Sequence, residues 1–466
     1  MTFGNISNYD LRRLRAQRIK RREGSALVIV LALTTFITTV IGVLLLAFRW
    51  QIGAIQNEVD AAQALCLAEA AVHKALWRLS GNGGFDHHWR AQKETIELFG
   101  EKNAQVSIDR WGAFLRIFVE VEHKKQRRVV QTLVGQKPPT ELRTAVHVTR
   151  SSYPLVLVGK TRLSGDVLAG KQGVKPGWIK GRGFAGETLV NGRVLRQEKP
   201  APPFLDAAPV RELVEKYQNR LSHHAGTQIF ESVSFSDSLS ADSLFVHGDL
   251  TLTMNEKSFV PTQNFIAASG NVSIGGETRL GEFSEIVCGG RAIVRGYVRL
   301  QNVIIYAEKG VEISGSAVVS GQIFSPVDIV ISERAELRYP SLIWRFKNET
   351  DGGEVVVTGQ AVVRGTVIAH SIASSEQSSK SKLDIRIDKN ARLLGRAIAS
   401  GAVVPVGEII GGVTTNEFTL YVRPTTYHNY LLDAVIDYKK LPQEFLLPVV
   451  FSESPKLDVI SWRMTK

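Results

Sequence analysis

The sequence predicts a mainly β protein. One long N-terminal transmembrane helix with a small antiparallel sheet is followed by a parallel β-helix that carries a short helical insertion and a C-terminal cap. Three observations predict it. Residues 25–48 form an uncharged run of 24 residues, and a helical apolar period continues beyond it to residue 79. Residues 104–135 alternate apolar and polar side chains between turn-like breaks. From about Tyr153 onward, short Val/Ile/Leu-rich stretches recur between regularly placed glycines. At 466 residues the chain is too long for a single core, so several units are expected.

The helix comes first. An uncharged run of that length spans about 36 Å as a helix, against about 30 Å of bilayer hydrocarbon. A secretory signal has a shorter apolar stretch and a small-residue cleavage site, and no such site follows Phe48. Arg12, Arg13, Arg15, Arg18, Lys20, Arg21 and Arg22 precede the run, opposed by Asp10 and Glu23. The positive-inside rule therefore places the basic leader (1–24) in the cytoplasm and residue 50 onward outside. Thr34, Thr35, Thr38 and Thr39 interrupt the run, and their hydroxyls can bond back to carbonyls of the preceding turn. Ile52, Ile55, Val59, Ala62, Leu65, Ala68, Val72, Leu76 and Leu79 then make one apolar face. The Gly-rich "SGNGG" at 80–84 stops it, which gives a transmembrane plus amphipathic helix over 25–80.

The strings "EGSALVIVLAL" and "AAQALCLAEAAVHKAL", behind a basic leader, resemble the N-terminus of PilX-type minor pilins and pseudopilins. The resemblance implies cleavage by prepilin peptidase after Gly24 and methylation of the new terminus, Ser25. It implies anchoring in the inner membrane through a segment bounded by Ser25 and Phe48 and including Ile29 and Leu44. It also implies packing with other pilin-like subunits through this helix. Two positions depart from the family pattern. Ser25 stands where Phe is usual, and Ile29 stands where an acidic residue is usual. A subunit lacking that carboxylate resembles the pseudopilins at a filament tip. An uncleaved signal anchor is the competing reading.

Residues 81–140 read as a small pilin-like sheet. Its strands are "AQVSIDRW", "AFLRIFVEVEH" and "RRVVQTLVG", with "WGAF" and "HKKQ" as hairpin turns. The β-helix is expected over 141–425. Five segments there share one glycine spacing: Gly159/Gly165, Gly275/Gly281, Gly290/Gly296, Gly315/Gly321 and Gly359/Gly365. A sixth keeps only Gly395. Glycine suits sharp corners where φ is positive or where backbones stack closely. Strand-like stretches recur at about 17–21 residues, too far apart for a β-sandwich. The texture resembles bactofilins, polymer-forming β-helix scaffolds, which keeps a membrane-anchored polymer open as the alternative function. The insertion at 197–226 is Pro-rich and then helical, with Val210, Leu213, Val214, Tyr217 and Leu221 as an apolar stripe and Asp206 near its start. It is expected to lie across the stack or cover its open end. A polar loop leaves the stack at 371–382, and residues 426–466 are expected as the cap.

Chemistry is sparse. Much of the net charge of +12 sits in the leader, and the run at 123–128 falls at a hairpin tip, so no nucleic-acid partner is expected. Cys66 and Cys288 read as small buried hydrophobes, and Glu69 as a solvated helix charge. A carbohydrate-acting β-helix would need clustered carboxylates. Asp237, Asp242 and Asp249 come nearest, at spacings that suit turns. His87–His88 and His223–His224 lack partners at a metal spacing, and no P-loop or nucleophile elbow occurs. The expectation is a non-enzymatic envelope protein with no cofactor and no metal. Its β-helix presents a rigid surface to a ligand, a surface or a secreted substrate.

Overall fold

The structure, a computed structural model, describes residues 8–81, 92–98, 102–150, 153–198, 201–222, 228–235, 243–254, 265–346, 353–371, 383–452 and 454–465. Helix α1 runs unbroken over Asn8–Gly81, 74 residues, or about 110 Å at the standard rise. The leader is therefore not a separate element. The Arg, Lys, Leu, Gln and Ala of residues 11–22 are good helix formers, and a lone glycine at 24 costs only about 1 kcal/mol.

The last five turns of α1 pack on an antiparallel sheet. Strands β1 (Gln92–Glu97), β2 (Asn103–Trp111), β3 (Phe114–His123) and β4 (Gln126–Gln136) pair in sequence order. A fifth strand, Leu457–Thr465, comes from the far end of the chain and pairs with β4. Ala68, Ala71, Val72, Ala75, Leu76 and Leu79 of α1 share one core with Ile108, Leu115, Ile117, Val119, Val130 and Val134. Alternation along β3 sends Ile117 and Val119 to the helix and Arg116 and Phe118 to the other face.

Between β4 and that last strand lies the β-helix, so the whole stack is an insertion into the head sheet. Its coils lay parallel strands into ladders. One inward row reads Leu250, Val272, Ala292, Val311, Ile329, Val355, Ile385, Val403. A second reads Ile266, Ile286, Ile305, Ile323, Ile343, Val367, Ala397, Val413. A third reads Leu300, Val319, Leu337, Val363, Leu393, Ile409, Ile436, Leu163. All belong to one interior core, and no single coil encloses it alone.

The coils are not stacked in chain order. Val413 pairs with Val146, Val146 with Val167, and Val167 with Val194. Residues 146–197 thus sit beyond the last coil of the main run, not before its first. Within the β-helix expected over 141–425, the coils before the insertion therefore stack on the last coils after it. Every rung offers the same small aliphatic row, so the local pattern does not say which rung is whose neighbour. The insertion takes the chain from one end of the stack to the other. Its helix α2 (Ala208–Ser222) buries Val210, Val214 and Tyr217 in a second core along the outside of the stack, with Tyr306, Phe324 and Trp344. The Tyr217 and Tyr306 rings lie 5.6 Å apart. Residues 426–466, expected as a cap, divide in three. Tyr430–Leu432 and Val435–Asp437 join coils, residues 445–451 enter the second core, and Leu457–Thr465 returns to the head.

The same second core welds head to stack. Trp111, Ala113, Phe114 and Leu133 meet it from the head, and Phe283, Ile304, Leu342 and Ile398 from the coils. The β2–β3 turn falls at "WGAF", where a hairpin turn is expected, and it is buried here. Gln322, 1% exposed, accepts from the Ala113 N–H at 2.7 Å and donates to the Trp111 carbonyl at 2.6 Å. Arg116 lies over the Phe283 ring at 5.3 Å, and Arg463 pairs with Glu282.

Candidate assembly interface

Among the described residues, α1 is largely uncovered from residue 26 to residue 63. Ile29, Leu44 and Phe48 are 63%, 52% and 59% exposed, and residues 26–48 are exposed throughout. The helix is long and apolar enough to cross a membrane. The threonine hydroxyls bond back as expected: Thr35 to the Leu31 carbonyl and Thr39 to the Thr35 carbonyl, both at 2.7 Å. Their polarity is thereby satisfied within the helix.

Between that run and the head, residues 49–63 form a bare stem of about 22 Å. Trp50, Ile52, Ile55 and Val59 stay exposed, and Ala62 with them, so the apolar face expected to meet the sheet meets it only from Ala64 on. The reason is geometric. The sheet is too short to follow the helix further, and its lowest turn is already tied to the stem by Lys124 and Asp60 at 2.6 Å. Higher up, Lys74 donates to the Glu97 carbonyl at 2.5 Å, and Arg78 pairs with Glu94 at 3.1 Å. The rigid head therefore fixes the direction of a stem whose apolar stripe is open. An apolar stripe at a 3–4 residue period suits a second helix.

The other residues singled out by sequence fall as follows. Gly24 and Ser25 lie within α1. Among the repeat glycines, Gly159, Gly315 and Gly359 hold φ of +63°, +75° and +68° at coil corners, and Gly165, Gly296, Gly321 and Gly365 are also positive. A Cβ on Gly365 would stand 1.9 Å from the Ser341 carbonyl oxygen, so that corner needs glycine for close stacking. Gly275, Gly281 and Gly290 are not in the left-handed region, where Gly276 and Phe283 stand instead. Asp249 lies within a strand rather than a turn, and it accepts from the Asn271 N–H of the next coil at 2.6 Å. Asp237, Asp242, His87, His88, His223 and His224 lie outside the described residues. Cys288 is buried, and burial pushes its thiol up to about 12. Cys66 is exposed, contrary to expectation, because it lies on the open side of α1. Glu69 is exposed, as expected of a solvated charge. Among the described residues no group of His, Cys, Asp and Glu is arranged to hold a metal.

Sequence reasoning missed the buried polar groups of the stack. Glu417, 1% exposed, accepts from Arg150 at 3.0 Å and lies 3.3 Å from His428 Nδ1. Arg345 and Asp384 pair at 3.5 Å inside the stack. Arg396 and His147 are buried where the first and last coils meet. Burial first, and the Arg396 charge second, hold His147 down to about 4. No local motif marks these residues, because their partners come from other coils, far away in sequence.

No family model matches the chain, and no curated protein matches it. Among solved structures, the competence-associated pilin ComZ from Thermus thermophilus aligns at 11% identity over 87% of this chain and 97% of that chain, with a TM-score of 0.22. At that score the match adds nothing to the fold described above.

Proposed function

We propose that the protein is a non-catalytic, pilin-like subunit of a bacterial envelope assembly, of the type IV pilus or type II secretion kind. The observation that carries this reading is the division of α1. Its last five turns are gripped by a small sheet, while the apolar side chains of residues 26–63 stay largely exposed among the described residues. The apolar run anchors the subunit in the inner membrane with residues 1–24 inside. The stem stripe (Trp50, Ile52, Ile55, Val59) packs against helices of other subunits. Prepilin peptidase cuts after Gly24, and Ser25 is methylated. With Ile29 offering no carboxylate to a neighbour, the subunit takes a terminal place in the assembly.

The β-helix is the displayed load, an adhesin or tip adaptor. Both of its connections run into adjacent strands of one sheet, which supports a rigid presentation. At the end formed by residues 174–197, Phe184, Leu189 and Val190 pack against the interior core. That partial cover of the core supports display over an end-to-end polymer, while Val194 and Leu195 of the terminal strand stay exposed at 37% and 40%.

The deciding experiment maps the mature N-terminus by mass spectrometry, in cells with and without active prepilin peptidase. A methylated terminus at Ser25 that depends on the peptidase is expected. An intact Met1 leader in both strains would overturn the reading and leave a tethered β-helix scaffold.

A further inference from the structure

Where the first coil docks on the last, a cation is buried without an acid. Arg396 is 2% exposed, and no ion pair to it exists among the described residues. Its Nη1 donates to the carbonyls of Leu142 and Thr144 (3.1 Å to the latter). Its Nη2 donates to the hydroxyls of Thr144 at 3.2 Å and Thr414 at 2.9 Å. Four neutral acceptors orient the guanidinium but leave its charge uncompensated. The side chain lies over Gly412, where a Cβ would come within 2.5 Å of Nη1. Next to Thr414 in the ladder stands His147, 1% exposed. Arg396 Nε and both ring nitrogens of His147 are buried with no protein partner.

Charges buried unpaired are costly, and buried donors left without acceptors add about 1–3 kcal/mol each. The donors that remain are the Nε–H of Arg396, one ring N–H of His147, and the O–H of Thr414, whose oxygen already accepts from Arg396. The group that acts electrostatically on Arg396 is the Tyr438 phenol, which burial keeps in its neutral form. The geometry points to a buried anion site at this seam, for a small monovalent anion such as chloride, held by Arg396, His147 and Thr414. The anion supplies the missing charge and ties residues 144–148, from early in the chain, to residues 396–414. It acts as a structural ligand of the interleaved stack, since the groups that hold it come from three neighbouring rungs.

The test uses the full-length protein in detergent micelles. Thermal unfolding is followed by tryptophan fluorescence while sodium chloride replaces sodium gluconate at constant ionic strength. Chloride is expected to raise the Tm, each tenfold increase above its dissociation constant adding about 1.4 kcal/mol. Thr414→Val, which keeps the shape and removes one donor, is expected to shift this dependence to higher chloride. Crystals grown in bromide are expected to show an anomalous peak within hydrogen-bond reach of Arg396 Nε and His147. Equal Tm in both salts together with no peak means that water fills the seam, and overturns the inference. Chloride dependence with a peak only elsewhere overturns it as well.

Discussion

Replacing Gln322 by Leu tests the joint between head and stack. The amide meets both polar groups of the β2–β3 turn, and at 1% exposure water cannot take its place. Leucine fits the ladder, because the neighbours of Gln322 above and below are Ile304 and Leu342. The variant therefore makes no void but strands the Ala113 N–H and the Trp111 carbonyl. Each buried unsatisfied group costs about 1–3 kcal/mol, and the added apolar contact returns about 1 kcal/mol. A net loss of about 3 kcal/mol is expected. The assay is urea unfolding of the detergent-solubilised chain, with limited proteolysis reporting on the turn at 111–114. Gly112→Ala should reproduce the effect, since φ there is +60° and a Cβ would lie 2.3 Å from the Gln322 oxygen. A midpoint for Gln322→Leu equivalent to less than about 0.5 kcal/mol of change, with the turn still protected, would refute the assignment of this contact as the joint.

Three further outcomes are expected. Gly365→Ala, at φ +152° and 1.9 Å from a carbonyl oxygen, should destabilise the stack by at least about 3 kcal/mol, whereas Gly275→Ala, whose Cβ meets nothing closer than 3.9 Å, should stay within about 0.5 kcal/mol; paired urea titrations decide. His147 is neutral when folded, so the unfolded chain binds the extra proton and stability falls as pH drops below about 6.5, a loss that continues toward 4; between pH 7 and 5 in chloride-free buffer it should reach about 2 kcal/mol and be absent in His147→Leu. In the native protein a maleimide should label Cys66 and leave Cys288 unmodified, and labelling of both by mass spectrometry would contradict the burial of Cys288.

Much of this architecture is legible in the residues. The uncharged run, the stop after residue 79 and the alternation along residues 103–136 each carry their own period. Gly315 and Gly359 betray coil corners because only glycine takes those angles cheaply. What stays hidden is long-range. Nothing in "LDVISWRMT" says that it will pair with β4, since any short alternating strand fits any open edge. Val146 and Val413 look like every other rung residue, so the displaced order of the coils cannot be read from them. At the candidate interface the apolar stripe is visible in sequence, but how far the sheet covers it depends on how far the sheet extends. That decides that Val59 is open and Val72 is shut.

The displaced order has a consequence in time. Thr149 hydrogen-bonds across to Thr415, 266 residues later. At about 5–20 residues per second, roughly 15–50 s of synthesis separate those two residues. The rungs made first are thus the last to be seated, and until then the strand at residues 146–148 has its partner at 167–168 but lacks the one at 413–415. Any nascent or truncated chain ending before residue 413 carries residues 146–197 with no coil to dock on, an exposed template for aggregation. Only a chain extended past residue 415 can close that seam and give those first strands their second neighbour.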